Sequence, residues 1–153
     1  MTLLWDDPAT GLRCKARVDW LDESTPGEPR LVGIKTARRA GREPFARQAG
    51  EMMYHLQWAH YRAGYHAITQ IWPEMVEIVV ESSPPWDVVV YHPSELTIGA
   101  GEQLVRQALD DLAECRRLQA WPGQGRGEVV ELELKPWAAG MPEDTGLDWS
   151  EAS

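Results

Sequence analysis

Residues 14–37 read CKARVDWLDESTPGEPRLVGIKTA, and the fold prediction starts from this stretch. Polar and apolar side chains alternate over residues 13–21, which is typical of a half-buried strand. Residues 22–29 are rich in Asp, Ser, Pro and Gly and predict a turn. Residues 30–36 predict a second strand, so the two strands form a hairpin. The apolar face of the first strand is predicted to comprise Cys14, Ala16, Val18 and Trp20.

The rest of the chain alternates between helical and extended patterns. The predicted order is strand, strand, helix, strand, strand, helix, strand, which indicates an α/β sandwich around a mixed sheet and excludes a Rossmann alternation. The later segments are a helix from near Glu43 or Pro44 to Gly64, strands at 77–81 and 87–91 that form a second hairpin, a helix capped by Ser94 or Thr97, and a last strand at 129–134.

The composition is that of an ordinary globular protein, with 43% hydrophobic and 25% charged residues in a chain of 153. We expect one domain over residues 1–141 and an acidic, flexible tail over residues 142–153. The sequence has no long apolar run and no signal pattern, which predicts a cytoplasmic protein without a membrane partner. Cys14 and Cys115 are far apart in sequence and are expected to be reduced and structural.

Charge is distributed unevenly along the chain. The net charge of −9 argues against a protein that binds nucleic acid through its overall charge. Residues 30–47, however, hold six basic residues and one acidic residue. We interpret Arg38, Arg39 and Arg42 as contacts for phosphate groups, and the alternative interpretation is an ordinary solvated surface.

Asp19 on the first strand and Lys35 on the second are the first candidates for catalysis. A metal-dependent phosphodiesterase needs a carboxylate that binds Mg²⁺ and a cation near the attacking water, and a hairpin brings adjacent strands within reach. Gln57 and Tyr61 stand four residues apart and therefore share one face of the predicted helix. Taken alone, each pair is more typical of an exposed strand end or of the border of a buried helix face.

Five segments in order resemble a known family. CKARVDWL, RLVGIKTA, YHLQWAHYRAGY, VVESSPPWDVVVY and AECRRLQAWPGQG together resemble the nuclease domain of RecE-type exonucleases, which are similar to exonuclease VIII. These belong to the PD-(D/E)xK superfamily, alongside lambda exonuclease and RecB-type nucleases. The resemblance covers residues 5–137. It implies a restriction-endonuclease-like α/β core, a mixed sheet flanked by helices.

The resemblance also implies an activity and roles for individual residues. By this resemblance Asp19 binds Mg²⁺ or Mn²⁺ together with the backbone carbonyl of Ile34, and Lys35 orients or activates the hydrolytic water. Gln57 and Tyr61 support the site from the helix and contact DNA. The implied activity is 5′-to-3′ degradation of linear duplex DNA in phage or prophage recombination. A ring-shaped homo-oligomer and a single-strand annealing protein are the implied partners.

The first departure from the family pattern is Gly33. The second carboxylate of the family stands two residues before the lysine, where this chain has glycine. The expected ligands are then Asp19, the Ile34 carbonyl and water, so metal affinity and turnover are expected to suffer. Glu51 is predicted to point away from the site, and Glu81 is the better candidate for a replacement. We expect neither to restore the missing ligand.

The second departure is at the start of the chain. Related domains carry helical segments before the first strand, and this sequence reaches its first predicted strand within a few residues. We therefore expect one face of the sheet to expose apolar area, which favours self-association or a partner.

Two other interpretations of the whole chain remain open. A catalytically inactive member of the family would bind DNA or a recombination partner through the basic residues. An unrelated α/β protein would place Asp19 and Lys35 too far apart to share one metal and one water molecule.

Overall fold

A mixed four-stranded sheet and a separate two-stranded hairpin enclose the core. The computed structural model describes residues 1–123, 129 and 131–133. Its contacts divide the chain into the units Met1–Gln119 and Ala120–Ser153. The elements, all in the first unit, are β1 (Thr2–Asp6), β2 (Arg13–Arg17), β3 (Trp20–Asp22), β4 (Arg30–Ala37), α1 (Arg42–Glu51), α2 (Tyr54–Thr69), β5 (Glu74–Glu81), β6 (Val88–Tyr91) and α3 (Glu95–Leu118).

The four-stranded sheet has the order β3-β4-β5-β6. β3 is antiparallel to β4, β4 is parallel to β5, and β5 is antiparallel to β6. The predicted mixed sheet and the second hairpin are therefore confirmed, whereas the first hairpin holds only for residues 20–22 of its first strand. The parallel pair β4–β5 is connected through α1 and α2, because a parallel connection needs a long crossover.

The strand predicted over residues 13–21 is two strands in different sheets. β2 pairs with β1, from Thr2 opposite Arg17 to Asp6 opposite Arg13. The pairing with β1 ends where the Val18 amide donates to the Met1 carbonyl, at 2.8 Å. Beyond this point the chain joins β4, which changes the direction of the following side chains. Trp20 is consequently 65% exposed instead of sharing the buried face of Cys14, Ala16 and Val18.

The predicted helix from Glu43 to Gly64 is also two elements. The break lies at Met53, whose φ of 54° is in the left-handed region. α2 then continues to Thr69, well past Gly64. Gly64 does not end the helix but lets it approach the hairpin, because a Cβ at this position would lie 2.5 Å from the Trp5 ring.

The last predicted strand is not seen in the described residues. Residues 129 and 131–133 belong to no strand, and residues 130 and 134 lie outside the described part of the chain. The domain end predicted at residue 141 and the tail at 142–153 also lie outside it and stay predictions.

The two faces of the four-stranded sheet differ. Helix α2 contacts β5 and also the β1–β2 hairpin and α3, so one face is buried. On the other face Ile34 is 55% and Val90 63% exposed. This exposed apolar area agrees with the expectation of an uncovered face. The first element described is the strand β1, at the position where the resemblance leads one to expect a helix.

Local signals placed α3 correctly. Ser94 is the N-cap, and its hydroxyl accepts a hydrogen bond from the Thr97 amide at 3.2 Å. None of the described helices is both long enough and apolar enough to cross a membrane. Cys14 and Cys115 are free cysteines.

An ion pair ties α3 to the β1–β2 turn. The Asp7 carboxylate accepts hydrogen bonds from Arg106 at 3.0 and 3.1 Å and also from the Thr10 hydroxyl and amide. The hydrogen bonds from Arg106 are the main cause that lowers the pKa of Asp7 to about 2, although burial opposes them. Because the folded-state pKa lies below the unfolded value, the pair stabilises the fold above about pH 4.

We predict that Asp7→Asn lowers the free energy of unfolding at pH 7 by roughly 1–2 kcal/mol, a figure reduced for solvent screening at the partly exposed Arg106. This difference from the wild type should disappear as the pH falls from about 4 towards 2. Urea unfolding at several pH values measures it. Glu114→Gln, which breaks an exposed pair with Arg117 on α3, is the matched control. A pH-independent difference would contradict the assignment.

Candidate active site

A chain of hydrogen bonds connects β4 to α2 on the buried face of the sheet. The ammonium group of Lys35 donates to the Gln57 side-chain carbonyl at 2.9 Å. The Gln57 amide in turn donates to the Tyr61 hydroxyl at 3.1 Å. Lys35 also lies 5.1 Å from the centre of the Tyr54 ring, and its side chain is 18% exposed. The structure thus brings together Lys35, Gln57 and Tyr61.

Asp19 is the residue just before β3, which begins at Trp20, and it lies beside β4. Its carboxylate accepts a hydrogen bond from the Ile34 amide at 3.1 Å. In a strand the N–H and C=O of one residue point to the same side, so the Ile34 carbonyl also faces the Asp19 side of β4. Asp19 therefore lies beside Ile34, the residue that precedes Lys35 on β4.

A further functional group, Glu77, was not predicted. This residue on β5 is fully buried. One carboxylate oxygen accepts a hydrogen bond from the Trp58 indole at 2.5 Å. The other oxygen, Oε1, accepts no hydrogen bond from the described residues and lies 3.9 Å from the ammonium nitrogen of Lys35.

Glu77 occupies the space above Gly33. The two residues are opposite each other in the parallel pairing of β4 and β5. A Cβ on Gly33 would lie 2.5 Å from Oε1 and 2.7 Å from Oε2 of Glu77. Residue 33 can therefore carry no side chain while the Glu77 carboxylate holds this position.

Burial controls the electrostatics of the site. It raises the pKa of Glu77, although the hydrogen bond from Trp58 and the charge of Lys35 oppose the shift, and the charge of Asp19 adds to it. Burial also raises the pKa of Tyr61, an effect that the Gln57 hydrogen bond partly offsets. The Tyr61 hydroxyl therefore keeps its proton at neutral pH. Because it accepts from Gln57, this proton is available to another acceptor.

The three arginines lie beyond the end of β4. Arg38, Arg39 and Arg42 are exposed, and none of them forms a salt bridge within the described part of the chain. Arg38 follows Lys35 by three residues, which is at most about 10 Å along an extended chain. A groove of about 500 Å³ at this end of the sheet is lined by Arg38, Arg39, Glu81, Ser83 and Asp87, with residues 84–85.

The acids considered as replacements for the missing ligand lie elsewhere. The Glu81 carboxylate already accepts hydrogen bonds from two backbone amides, that of Ala40 at 2.9 Å and that of Asp87 at 3.3 Å. Glu51 is an exposed residue at the end of α1. The carboxylate that reaches the Gly33 position is that of Glu77, which the sequence analysis did not consider.

The comparison with protein families agrees with this geometry. A model described as "PDDEXK-like domain of unknown function (DUF3799)" matches residues 2–133. The chain belongs to this PDDEXK-like family. The predicted PD-(D/E)xK resemblance and the predicted fold class are thereby confirmed. A search of curated proteins found no match.

Two solved structures are similar to the PDDEXK-like chain. A "Putative exonuclease" from Eubacterium rectale has a TM-score of 0.59 and 12% sequence identity, over 91% of this chain and 55% of that one. A protein named SSO0001 has a TM-score of 0.46 and 18% identity, over 72% of this chain and 47% of that one. The first likeness supports the fold. The chain spans about half the length of the structures that it matches.

Nucleases of the PD-(D/E)xK type generally use divalent metal ions, and the oxygen atoms of this site suit such an ion. Mg²⁺ and Mn²⁺ prefer carboxylate, carbonyl and water ligands. In the described residues no three His, Cys, Asp or Glu side chains cluster as a metal site. The site of the PDDEXK-like domain instead offers the Asp19 carboxylate, the Ile34 carbonyl and the unpartnered Oε1 of Glu77. An orphaned buried carboxylate oxygen is the observation that favours a cation here.

The sequence did carry a signal for Glu77. On β5 every second residue from Met75 to Val79 is buried, so one acidic residue, Glu77, lies among the buried positions of the strand. The strand predicted from the sequence begins at residue 77, and an acidic residue at the end of a strand does not by itself indicate a functional site. Placing the residue in the site also required the register between β4 and β5.

We predict that Gly33→Ala destabilises the fold by roughly 1–3 kcal/mol, because the new methyl group overlaps the Glu77 carboxylate. In a Glu77→Ala background the same substitution should cost much less. Urea unfolding of the four proteins in this double-mutant cycle measures the coupling. Gly50→Ala on α1, where a Cβ meets no atom within 4 Å, is the control. Equal costs in both backgrounds would contradict the close approach of the two residues.

Proposed function

We propose that the chain is a divalent-metal-dependent exonuclease domain that hydrolyses linear duplex DNA. Two hydrogen bonds on β4 carry this proposal: the Ile34 amide donates to Asp19, and the next residue, Lys35, donates to Gln57. This is the arrangement that the resemblance to RecE-type exonucleases implies for a nuclease site. The metal ion is proposed to be Mg²⁺ or Mn²⁺.

Each residue has a role that its contacts support. Asp19 and the Ile34 carbonyl would hold the ion, which when bound would stabilise the charge developing on the scissile phosphate. Lys35 donates one hydrogen bond to Gln57 and has further N–H groups that can orient the attacking water. Gln57 is a positioning residue, because it holds the Lys35 ammonium group in place. Tyr61 accepts a hydrogen bond from the Gln57 amide and so holds that amide in place, and its hydroxyl can donate a hydrogen bond to a phosphate oxygen.

The arginines would hold the DNA strand. Arg38, Arg39 and Arg42 are exposed at the end of β4 where Lys35 lies, so a backbone that contacts them would lead towards the site. Phosphate contacts of this kind position a strand without reading its sequence. They also suit an exonuclease, which must act on any sequence.

The finer parts of the proposal concern context and partners. We propose a role in phage or prophage recombination, with 5′-to-3′ polarity and a single-strand annealing protein as partner, on the resemblance alone. The exposed apolar face with Trp20, Ile34 and Val90 supports assembly into a homo-oligomer. The two free cysteines suit the reducing cytoplasm.

One alternative has an observation in its favour. Gly33 stands where the family has a carboxylate, so the chain could be an inactive member that binds DNA or a recombination partner through the arginines. It would retain DNA affinity and show no metal-dependent cleavage.

A cleavage assay separates the two functions. We predict that the chain degrades end-labelled linear duplex in Mg²⁺ or Mn²⁺ and leaves a covalently closed circle intact. Lys35→Ala should lower the rate on the order of 10²- to 10⁴-fold, the usual range for a group that handles the reacting proton or water. Lys15→Ala, an exposed lysine of β2, should leave the rate unchanged. Absence of cleavage by the wild type in both metals would favour the inactive alternative.

A binding experiment tests the arginines. We predict that replacing both Arg38 and Arg39 by Gln weakens binding to duplex DNA and lowers the slope of log K against log salt by about 2, roughly 0.9 per phosphate contact. Fluorescence anisotropy in Ca²⁺, without cleavage, measures it. Replacing Arg13 and Arg117, which pair with Asp6 and Glu114, makes the same change in charge elsewhere. An unchanged slope in the first variant would exclude these arginines from the DNA contact.

A further inference from the structure

We propose that Glu77, on the strand beside the motif strand, replaces the carboxylate that Gly33 lacks and is the second acidic ligand of the divalent cation. The inference rests on the proposed metal-dependent function. It changes the expectation that Asp19 is the single carboxylate ligand of the metal ion. The site then holds two carboxylates instead of one, those of Asp19, just before β3, and of Glu77 on β5.

The register between the strands carries the first step. Gly33 and Glu77 are opposite residues of a parallel pair, and opposite residues project from the same face of a sheet. A carboxylate on β5 at this level can therefore reach the space that a residue-33 side chain would enter. The 2.5 Å between the Glu77 oxygen and a Cβ built on Gly33 shows that it does so.

The hydrogen bonding of Glu77 carries the second step. Trp58 holds Oε2 from the helix side, which fixes the orientation of the carboxylate. Oε1 accepts no hydrogen bond from the described residues and is directed to the region that Lys35 approaches at 3.9 Å. A buried carboxylate oxygen that accepts no hydrogen bond and has only this long ion-pair contact is unfavourable, so its position favours a bound cation.

The surroundings of Glu77 carry the third step. Its neighbours on the same face of β5, Met75 and Val79, are buried and apolar. A residue that served only to fill this position would be apolar as well. Asp19 accepts a hydrogen bond from the amide of Ile34, the residue after Gly33, so both carboxylates lie beside residues 33–34 of β4.

The competing account is that Glu77 is a structural residue that does no more than accept the Trp58 hydrogen bond. Glu77→Gln separates the two accounts. Gln retains a side-chain carbonyl for Trp58 and has nearly the same shape, but it loses the charge that a divalent cation requires. A structural role therefore predicts unchanged metal affinity for this variant.

The first experiment titrates Mn²⁺ alone into the full chain by calorimetry. We expect Glu77→Gln to weaken Mn²⁺ binding by at least roughly tenfold, and Asp19→Asn to do the same, because each removes one charged ligand. Glu74→Gln, on the exposed part of the same strand, is the control and should bind as the wild type does. Circular dichroism verifies that all variants are folded.

The outcomes distinguish this inference from the proposed function. Wild-type affinity in Glu77→Gln with binding lost in Asp19→Asn would overturn the role of Glu77 and leave the metal site intact. No Mn²⁺ binding by the wild type would overturn both.

A swap of the two positions supplies an independent test. Gly33→Asp alone should lower stability, because the new side chain and the Glu77 carboxylate occupy the same space. Combining Gly33→Asp with Glu77→Ala removes the conflict and should bring Mn²⁺ affinity back to within roughly tenfold of the wild type, while Glu77→Ala alone stays weak. A folded double variant that binds no better than Glu77→Ala would contradict the proposed replacement.

Discussion

The parallel pairing of β4 with β5 is the constraint on which the site depends. Its register sets Gly33 opposite Glu77 and Lys35 opposite Val79. A shift of one residue would turn the Glu77 carboxylate to the exposed face of the sheet, because side chains alternate along a strand. The same shift would bury a residue of the outer face, such as Ile78, against α2. Because the outer-face residues of β5 are apolar too, the apolar pattern alone does not select this register.

The contact between the sheet and α2 gives the site its rigidity. Lys35 and Glu77 both project towards this helix. Lys35 donates a hydrogen bond to Gln57, and Glu77 accepts one from Trp58, the next residue of α2. Buried polar groups stabilise a unique arrangement only when their hydrogen bonds are satisfied. Among the described residues, the buried oxygen of this group that accepts no hydrogen bond is Oε1 of Glu77. The polar network thus fixes the positions of both charged groups before any ligand arrives.

Much of the fold could be predicted from the sequence, because its signals are local. The turn residues between β3 and β4, the alternation in β5 and the Ser94 cap depend on neighbouring residues alone. The break at Met53 and the change of sheet at Val18 could not be predicted, because both depend on contacts with distant segments. For the candidate site, the resemblance supplied Asp19, Lys35 and Gln57; the structure joins Lys35 to Gln57 and places Asp19 beside Ile34. Glu77 required the register between two strands more than forty residues apart, which no spacing within the sequence encodes.

The charge distribution determines how DNA can approach this site. The chain as a whole carries −9, so most of its surface repels a polyanion at long range. The exposed arginines after β4 form a local exception at the end of the strand that carries Lys35. Repulsion acts over about one Debye length, roughly 8 Å at physiological salt, whereas direct phosphate contacts act only at close range. On the proposed function, a duplex would be admitted where the arginines meet it, and its backbone would then lead towards Lys35.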